Sequence, residues 1–313
     1  MLRGGVTTTH IFRLEKNDVS DHLPLLMDRP AAASAPIRLD LAGGWTDVGP
    51  YPYDFGGEVV NFAINLRVTA ELNSSSDIEV GFPVERGSGL GTSSALQVAL
   101  EALSNPGEIK KPHLLAEKAF FSESEGGNFC GRQDQWASSL GGFNHLLFIG
   151  DSVEQLPFEP MRSSKNWLKK HFILANTGIS RISGKMQAPV WKRYAENESN
   201  VKNGLHMIRS AAREMASGLQ HDRRDLVVNS LRTVCIGVDM LDPSIHEPFK
   251  HVVEPLLDNG SIAAWKAMGA GGGGCAGILC TPSGIESTIF ALKKADWSII
   301  DWDFEYEGVR LES

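Results

Sequence analysis

Apolar and polar residues alternate along two early stretches of the chain. Ile37, Leu39 and Leu41 fall on one side and Arg38 and Asp40 on the other, the period of a strand. From Val60 to Leu72 the alternation runs longer. Val60, Phe62, Ile64, Leu66, Val68, Ala70 and Leu72 oppose Asn61, Asn65, Arg67, Thr69 and Glu71. One apolar face and one polar face predict a half-buried antiparallel strand. A short strand is expected over 78–82. The period then becomes helical. Ala95, Val98, Ala99, Ala102 and Leu103 predict a helix over 92–103. Pro112 suits the first turn of a second helix, running to about Ser124 and ended by Gly126–Gly131. A third helix is expected over 133–139, then strands over 142–148 and 153–158.

The second half opens with a strand over 172–176. Long helices are expected over 186–218 and 222–240, a shorter one over 244–257 and a strand over 275–280. Thr281 and Pro282 predict the start of a helix carrying Ile285, Ile289 and Leu292 on one face. Ile300, Trp302 and Phe304 alternate with Asp301 and Asp303 and predict a last strand. Strands and helices interspersed with antiparallel signals predict an α+β fold.

Length supports two domains, since 313 residues exceed the ~150 typical of one. The expected division is an extension at 1–34, a first domain at 35–165 and a second at 166–313. A chain 42% hydrophobic and 22% charged builds a real core, which excludes a disordered or disulfide-scaffold protein. Net charge of −8 argues against nucleic acid and anionic membranes as partners. No run approaches the ~20 apolar residues of a membrane span. The first twenty residues lack the apolar segment of a signal peptide. Cys130, Cys235, Cys275 and Cys280 show no metal-site or Cys-x-x-Cys spacing, so free thiols in a cytoplasmic protein are expected. The unusual feature is glycine: 32 residues, and clustered.

Four motifs carry candidate chemistry. Gly87-Ser88-Gly89-Leu90-Gly91-Thr92-Ser93-Ser94-Ala95 opens directly into a helix. Its glycines let backbone amides curl around an anion, and the helix N-terminus adds free N–H groups and a positive dipole end. It lacks the lysine of a P-loop. Met268-Gly269-Ala270-Gly271-Gly272-Gly273-Gly274-Cys275 holds four consecutive glycines between apolar flanks, unlike a linker. Gly131-Arg132-Gln133-Asp134-Gln135-Trp136 places a carboxylate beside a guanidinium, a pairing suited to accepting a hydroxyl proton but also to a helix cap. Ala35-Pro36-Ile37-Arg38-Leu39-Asp40-Leu41-Ala42-Gly43-Gly44-Trp45-Thr46-Asp47 places Arg38 and Asp40 on one strand face, a placement that suits lining a cleft but also surface ion pairing, with Asp47 on the next turn.

In this order and at these separations, from about Ser34 to the C-terminus, the motifs resemble the GHMP small-molecule kinases. Within that superfamily the chain looks most like the heptose 7-phosphate kinase and fucokinase branch. Leu140-Gly141-Gly142-Phe143-Asn144 and Thr177-Gly178-Ile179-Ser180-Arg181 lean toward heptose, and Trp45 toward fucose. The resemblance implies a ribosomal-protein-S5-like first domain and a ferredoxin-like second domain. It implies ATP-dependent phosphoryl transfer to the anomeric C1 hydroxyl of a sugar or sugar phosphate. Gly87, Ser88, Gly89, Leu90, Gly91, Thr92, Ser93 and Ser94 would cradle the triphosphate. Ser94 and Glu123 would hold Mg²⁺, with Glu125 a rival for the second ligand. Asp134 would be the base or orienter and Arg38 the charge stabiliser. Thr46, Asp47 and Asn128 would fix the sugar, Gly271 and Gly272 would close beneath it, and Arg132 and Arg181 would pair with a distal phosphate.

One departure from that family stands out. Members place a further strand and helix before the phosphate loop, forming part of the adenine wall, whereas here only Pro83–Arg86 separate the 78–82 strand from Gly87. The rival reading is a non-catalytic sugar or nucleotide sensor on the same scaffold; joint retention of Arg38, Ser94, Glu123 and Asp134 argues against it.

Overall fold

The alternation at Ile37–Leu41 marks the middle of a longer strand. In the computed structural model, which describes residues 10–14, 32–73, 77–125, 130–180 and 183–312, that strand is β2 (Ala32–Ala42). It pairs antiparallel with β3 (Gly57–Leu72), whose first half is buried on both faces rather than half-buried. β3 is long enough to serve two more partners. Its end pairs with β4 (Ile78–Phe82) and its start with β5 (Phe143–Ile149), which pairs in turn with β6 (Ser152–Gln155). β1 (His10–Leu14), from the extension, adds an edge strand against β4. The other edge is β11 (Arg310–Glu312), which pairs with β2 from the far end of the chain.

A second antiparallel sheet has the order β10 (Ser298–Ile300), β7 (Phe172–Asn176), β9 (Cys275–Cys280), β8 (Ile262–Ala267). The helices are α1 (Tyr51–Asp54), α2 (Thr92–Ser104), α3 (Pro112–Ser124), α4 (Gln133–Leu140), α5 (Arg162–His171), α6 (Ser183–Ala195), α7 (Ser199–Gln220), α8 (Arg224–Leu241), α9 (Glu247–Asp258) and α10 (Ile285–Lys294). α2 and α4 pack on β2 and β3, and α8 and α9 pack on β8. α7, from the second half, also packs on β2 and β3, so one continuous core joins Ile37, Leu39 and Phe62 to Leu205, Ile208 and Leu279. Among the described residues no helix is long and apolar enough to cross a membrane.

Further expectations need correction. The helix expected over 186–218 is two helices, because Asn197 takes a left-handed backbone (φ 61°) between α6 and α7. The final strand expected through Phe304 ends at Ile300. Beyond it the chain leaves the second sheet, and Trp302 and Phe304 pack on Phe62 of the first. Arg67 clamps this return, with its Nη2 donating to the Gly308 carbonyl at 2.6 Å and its Nε to Ser34 Oγ at 2.7 Å. The helix assigned to begin at Thr281 and Pro282 starts at Ile285, because Thr281 caps backward onto the Gly260 and Ser261 carbonyls.

Candidate active site

The polar side of β2 supplies the centre of the site. Arg38 is 3% exposed and grips Asp134, at the start of α4, with a two-pronged fork: Nε to Oδ1 at 2.7 Å and Nη2 to Oδ2 at 2.8 Å. Its third arm, Nη1, donates to the Gly89 carbonyl at 2.6 Å. A bidentate fork fixes orientation as well as charge. Asp134 therefore sits in one geometry, and 23% of its side chain remains open to a cavity of about 540 Å³.

The glycine loop forms one wall of that cavity. Gly87, Gly89 and Gly91 all have left-handed backbones (φ 81°, 83° and 76°), which only glycine adopts freely. Between them Leu90 is fully buried, and its carbonyl accepts the Arg38 amide. Gly91 is the N-cap of α2 and brings no capping side chain, so the first amides of the helix keep their donors for a ligand. A Cβ at Gly91 would lie 3.3 Å from Asp134 Oδ2, so the loop abuts the carboxylate.

Ser94 Oγ, one turn into α2, donates to Glu123 Oε2 at 2.7 Å, and Gln135 Nε2 donates to the same oxygen at 2.7 Å. Burial pushes the Glu123 carboxyl above its usual range, with the hydroxyls of Ser93 and Ser94 opposing the shift. Glu123 lines the cavity whereas Glu125 is solvent-exposed, so geometry selects Glu123 of the two rivals. Among the described residues no group of three or more His, Cys, Asp or Glu could hold a metal. Two hard oxygen donors beside a glycine loop at a helix N-terminus nonetheless suit Mg²⁺, which keeps most of its waters and takes few protein ligands.

Opposite lies the turn after β2. Asp47 accepts from the Gln133 amide (3.1 Å) and Gln133 Nε2 (3.2 Å) and is 5% exposed. Burial, and then the nearby Asp134 charge, push its carboxyl up to about 7. Gly131 is required beside it, since a Cβ there would fall 1.8 Å from Asp47 Oδ2. Trp45 lines the cavity with φ 85°, left-handed for a non-glycine residue.

Some expected contacts are redirected. Thr46 turns inward, its hydroxyl donating to the Gly43 carbonyl at 2.7 Å and accepting from the Glu58 amide at 3.1 Å, so it braces the turn. Arg132 faces away from the cavity: it pairs with Glu117 and Asp151 at 3.2 Å and lies 4.2 Å over the Phe120 ring. Only two residues apart, Arg132 and Asp134 leave the helix start on different sides. Gly271 and Gly272 do not line the main cavity; a Cβ on them would strike Ile245 and Met186. Gly269 and Ala270 line it instead. The run's last glycine explains its composition, because a Cβ at Gly274 would meet the Ser88 carbonyl at 2.5 Å. That carbonyl accepts from the Cys275 amide at 2.8 Å, so the two glycine loops are hydrogen-bonded neighbours. Thr177 donates to the Gly274 carbonyl at 2.9 Å, and Ser180 reaches the cavity. Asn128 and Arg181 lie outside the described residues.

Sequence reasoning missed Arg86 at the cavity and Gln187 on α6, and it set Lys266 near the glycine run without finding its partner. Lys266 on β8 donates to Asp40 Oδ2 at 2.6 Å, with the two side chains 5% and 1% exposed. The Gly44 position signals this pair, since a Cβ there would sit 2.1 Å from Asp40 Oδ2. No sequence signal marks Gln187, which reads as one more polar helix residue.

No family model matches the chain. Over 88% of its length it is 25% identical to D-glycero-alpha-D-manno-heptose 7-phosphate kinase of Campylobacter jejuni, covering 96% of that protein. It is 22% identical over 84% of its length to the bifunctional fucokinase/GDP-fucose pyrophosphorylase of Arabidopsis thaliana, of which it spans 31%. The solved structure of a heptose 1-phosphate kinase from Bacteroides thetaiotaomicron matches with a TM-score of 0.68, over 90% of this chain and 99% of that one, at 19% identity. The mevalonate kinase of Methanococcus jannaschii matches with a TM-score of 0.64, over 89% and 99% of the two chains, at 15% identity. The fold is thus the two-domain α+β fold of the GHMP kinases. Within that superfamily, the chain's sequence relatives are kinases of the heptose and fucose branch.

Proposed function

We propose that this protein is an ATP-dependent sugar kinase that phosphorylates the anomeric C1 hydroxyl of a sugar or sugar phosphate, with a heptose 7-phosphate type of acceptor first among candidates. The observation that carries the reading is the Arg38–Asp134 fork, open to a cavity between a helix-capping glycine loop and the Asp47 turn. The likeness to the heptose 7-phosphate kinase over nearly the whole chain supports it.

In this reading the amides of 87–94 bind the triphosphate and Asp47 binds sugar hydroxyls. Asp134 orients the attacking hydroxyl and takes its proton as the oxygen bonds to the γ-phosphorus and ADP leaves. Arg38 holds Asp134 and offsets charge near the transferred group. Phosphoryl transfer depends on positioning and charge stabilisation, so this set is chemically sufficient. Ser94 and Glu123 would hold Mg²⁺, which when bound would neutralise triphosphate charge. The domain division falls near residue 165, on α5, and the protein works in the cytoplasm. A second reading, an L-fucose-type 1-kinase, draws on a 45-residue stretch 48% identical to the L-fucokinase/L-fucose-1-P guanylyltransferase of Bacteroides fragilis.

The test is ADP release from Mg-ATP over a panel of heptose 7-phosphate, other sugar phosphates, L-fucose and free hexoses. Turnover on heptose 7-phosphate supports the first reading and turnover on L-fucose the second. Sugar binding by calorimetry with no ADP from any acceptor would replace both with a sensor.

A further inference from the structure

We propose that Asp40 and Gln187 are specificity-determining residues, each accepting a hydrogen bond from a hydroxyl of the bound sugar. The inference rests on the sugar-kinase reading and goes further by naming what one wall of the site recognises.

Asp40 stands two residues after Arg38 on β2, and both line the cavity. Lys266 occupies only its Oδ2. Oδ1 is buried and has no hydrogen-bond partner among the described residues. A buried acceptor left without a donor is costly, and native sites that carry one have a use for it. Gln187 lines the same cavity from α6, and its Oε1 is also buried and unpartnered. One helical turn on, Trp191 packs against Trp45, with ring centroids 6.3 Å apart, so this face of α6 is turned toward the Trp45 side of the cavity. Trp45 holds a left-handed backbone to stand there.

Both vacant groups are acceptors, so the complement is a ligand that brings donors. Sugar hydroxyls donate; phosphate oxygens at neutral pH only accept. Among the described cavity residues the arginines are Arg38, committed to Asp134 and Gly89, and the exposed Arg86. The wall of β2, the Trp45 turn and α6 therefore reads hydroxyls, and a phosphate ester on the sugar would point elsewhere.

The test takes the best acceptor from the ADP-release panel, or its best-binding sugar if none is turned over, the set of monodeoxy derivatives, and three proteins: wild type, Asp40→Leu/Lys266→Met, which removes the acceptor without stranding the lysine, and Gln187→Ala. Each is measured for kcat/KM and, with a non-hydrolysable ATP analogue bound, for sugar affinity by calorimetry. Thermal unfolding verifies that each variant is folded. For wild type, one deoxy derivative should lose about 10- to 100-fold through Asp40, a hydrogen bond to a charged acceptor, and another about 2- to 10-fold through Gln187. Each variant should lose a similar factor on the intact sugar and nothing more on its own deoxy derivative. Losses that multiply independently on every derivative overturn the proposal, as does binding unchanged by either substitution, and in both cases the kinase reading stands. Asp40- and Gln187-dependent sugar binding without ADP release supports the proposal and overturns the kinase reading. Absence of sugar binding overturns both.

Discussion

Two ion pairs leave the same face of β2, and they are built for different ends. Arg38 crosses to Asp134 at the start of α4, a helix packed on the first sheet, and the carboxylate it holds is 23% exposed. Asp40 crosses to Lys266 on β8 of the other sheet, and both partners are almost wholly buried. The first pair presents a fixed carboxylate to a ligand, which chemistry needs. The second ties the two sheets together at the cavity wall, spending Asp40 Oδ2 on Lys266 and leaving Oδ1 unpaired. Such a pair adds little net stability but is expensive to break, because either partner alone is an uncompensated buried charge. Two residues of strand, less than 7 Å of rise by ordinary strand geometry, separate these roles.

The comparison breaks most visibly at Asp134. Asp134→Asn should lower kcat about 10²- to 10⁴-fold, the usual span for losing a positioned acid or base, with dissociation constants for nucleotide and sugar changed only a few-fold. Near-normal kcat would make Asp134 a mere anchor for Arg38, and the two pairs would then be alike. Lys266→Met should cost about 3–5 kcal/mol in urea unfolding, since it strands Asp40. The double variant Asp40→Leu/Lys266→Met should recover most of that loss, and failure to recover would show that packing rather than charge holds the sheets.

Asp47 sharpens the contrast, because it is buried beside Asp134 and Asp40 and forms no ion pair among the described residues. Its carboxyl is pushed up from 3.8 to about 7. Between those values the folded protein holds a proton that the unfolded chain has released. This contribution to stability therefore falls as pH rises through the window, and is lowest above about pH 7. The difference in melting temperature between Asp47→Asn and wild type should move in favour of the variant from pH 5 to pH 8; a constant difference would place Asp47 in a wetter site. The smallest effect belongs to Arg132. Arg132→Gln should cost about 1 kcal/mol through its pairing with the partly exposed Glu117, the Asp151 carboxylate being open to solvent. It should leave KM for a phosphorylated sugar unchanged, and a raised KM would return this arginine to the site.

Much of this site is legible in the sequence. The strand through Arg38 and Asp40, the loop at 87–94 and the carboxylate at 134 depend on patterns a few residues long: period-two alternation, glycine spacing, a hydroxyl run opening a helix. Glu123 over Glu125 was not settled, because the choice turns on which side of a helix end faces α2. Thr46 and Arg132 lie in the same motifs as Asp47 and Asp134 yet point elsewhere, toward Glu58 and Glu117. Adjacent residues share a motif but not a direction.

By itself the sequence determined which backbones could curl around an anion, which strand faces were apolar, and which charged residues stood ready in the same neighbourhood. Those properties follow from steric and hydration preferences acting over one or two turns of chain. Only the tertiary structure decided that Lys266 answers Asp40 across 226 positions, that Gly274 lies against the Ser88 carbonyl, that residues 310–312 form an edge of the first sheet, and that Gln187 faces the cavity. Such pairings depend on how the two sheets dock, and docking is set by the whole buried core rather than by any local pattern.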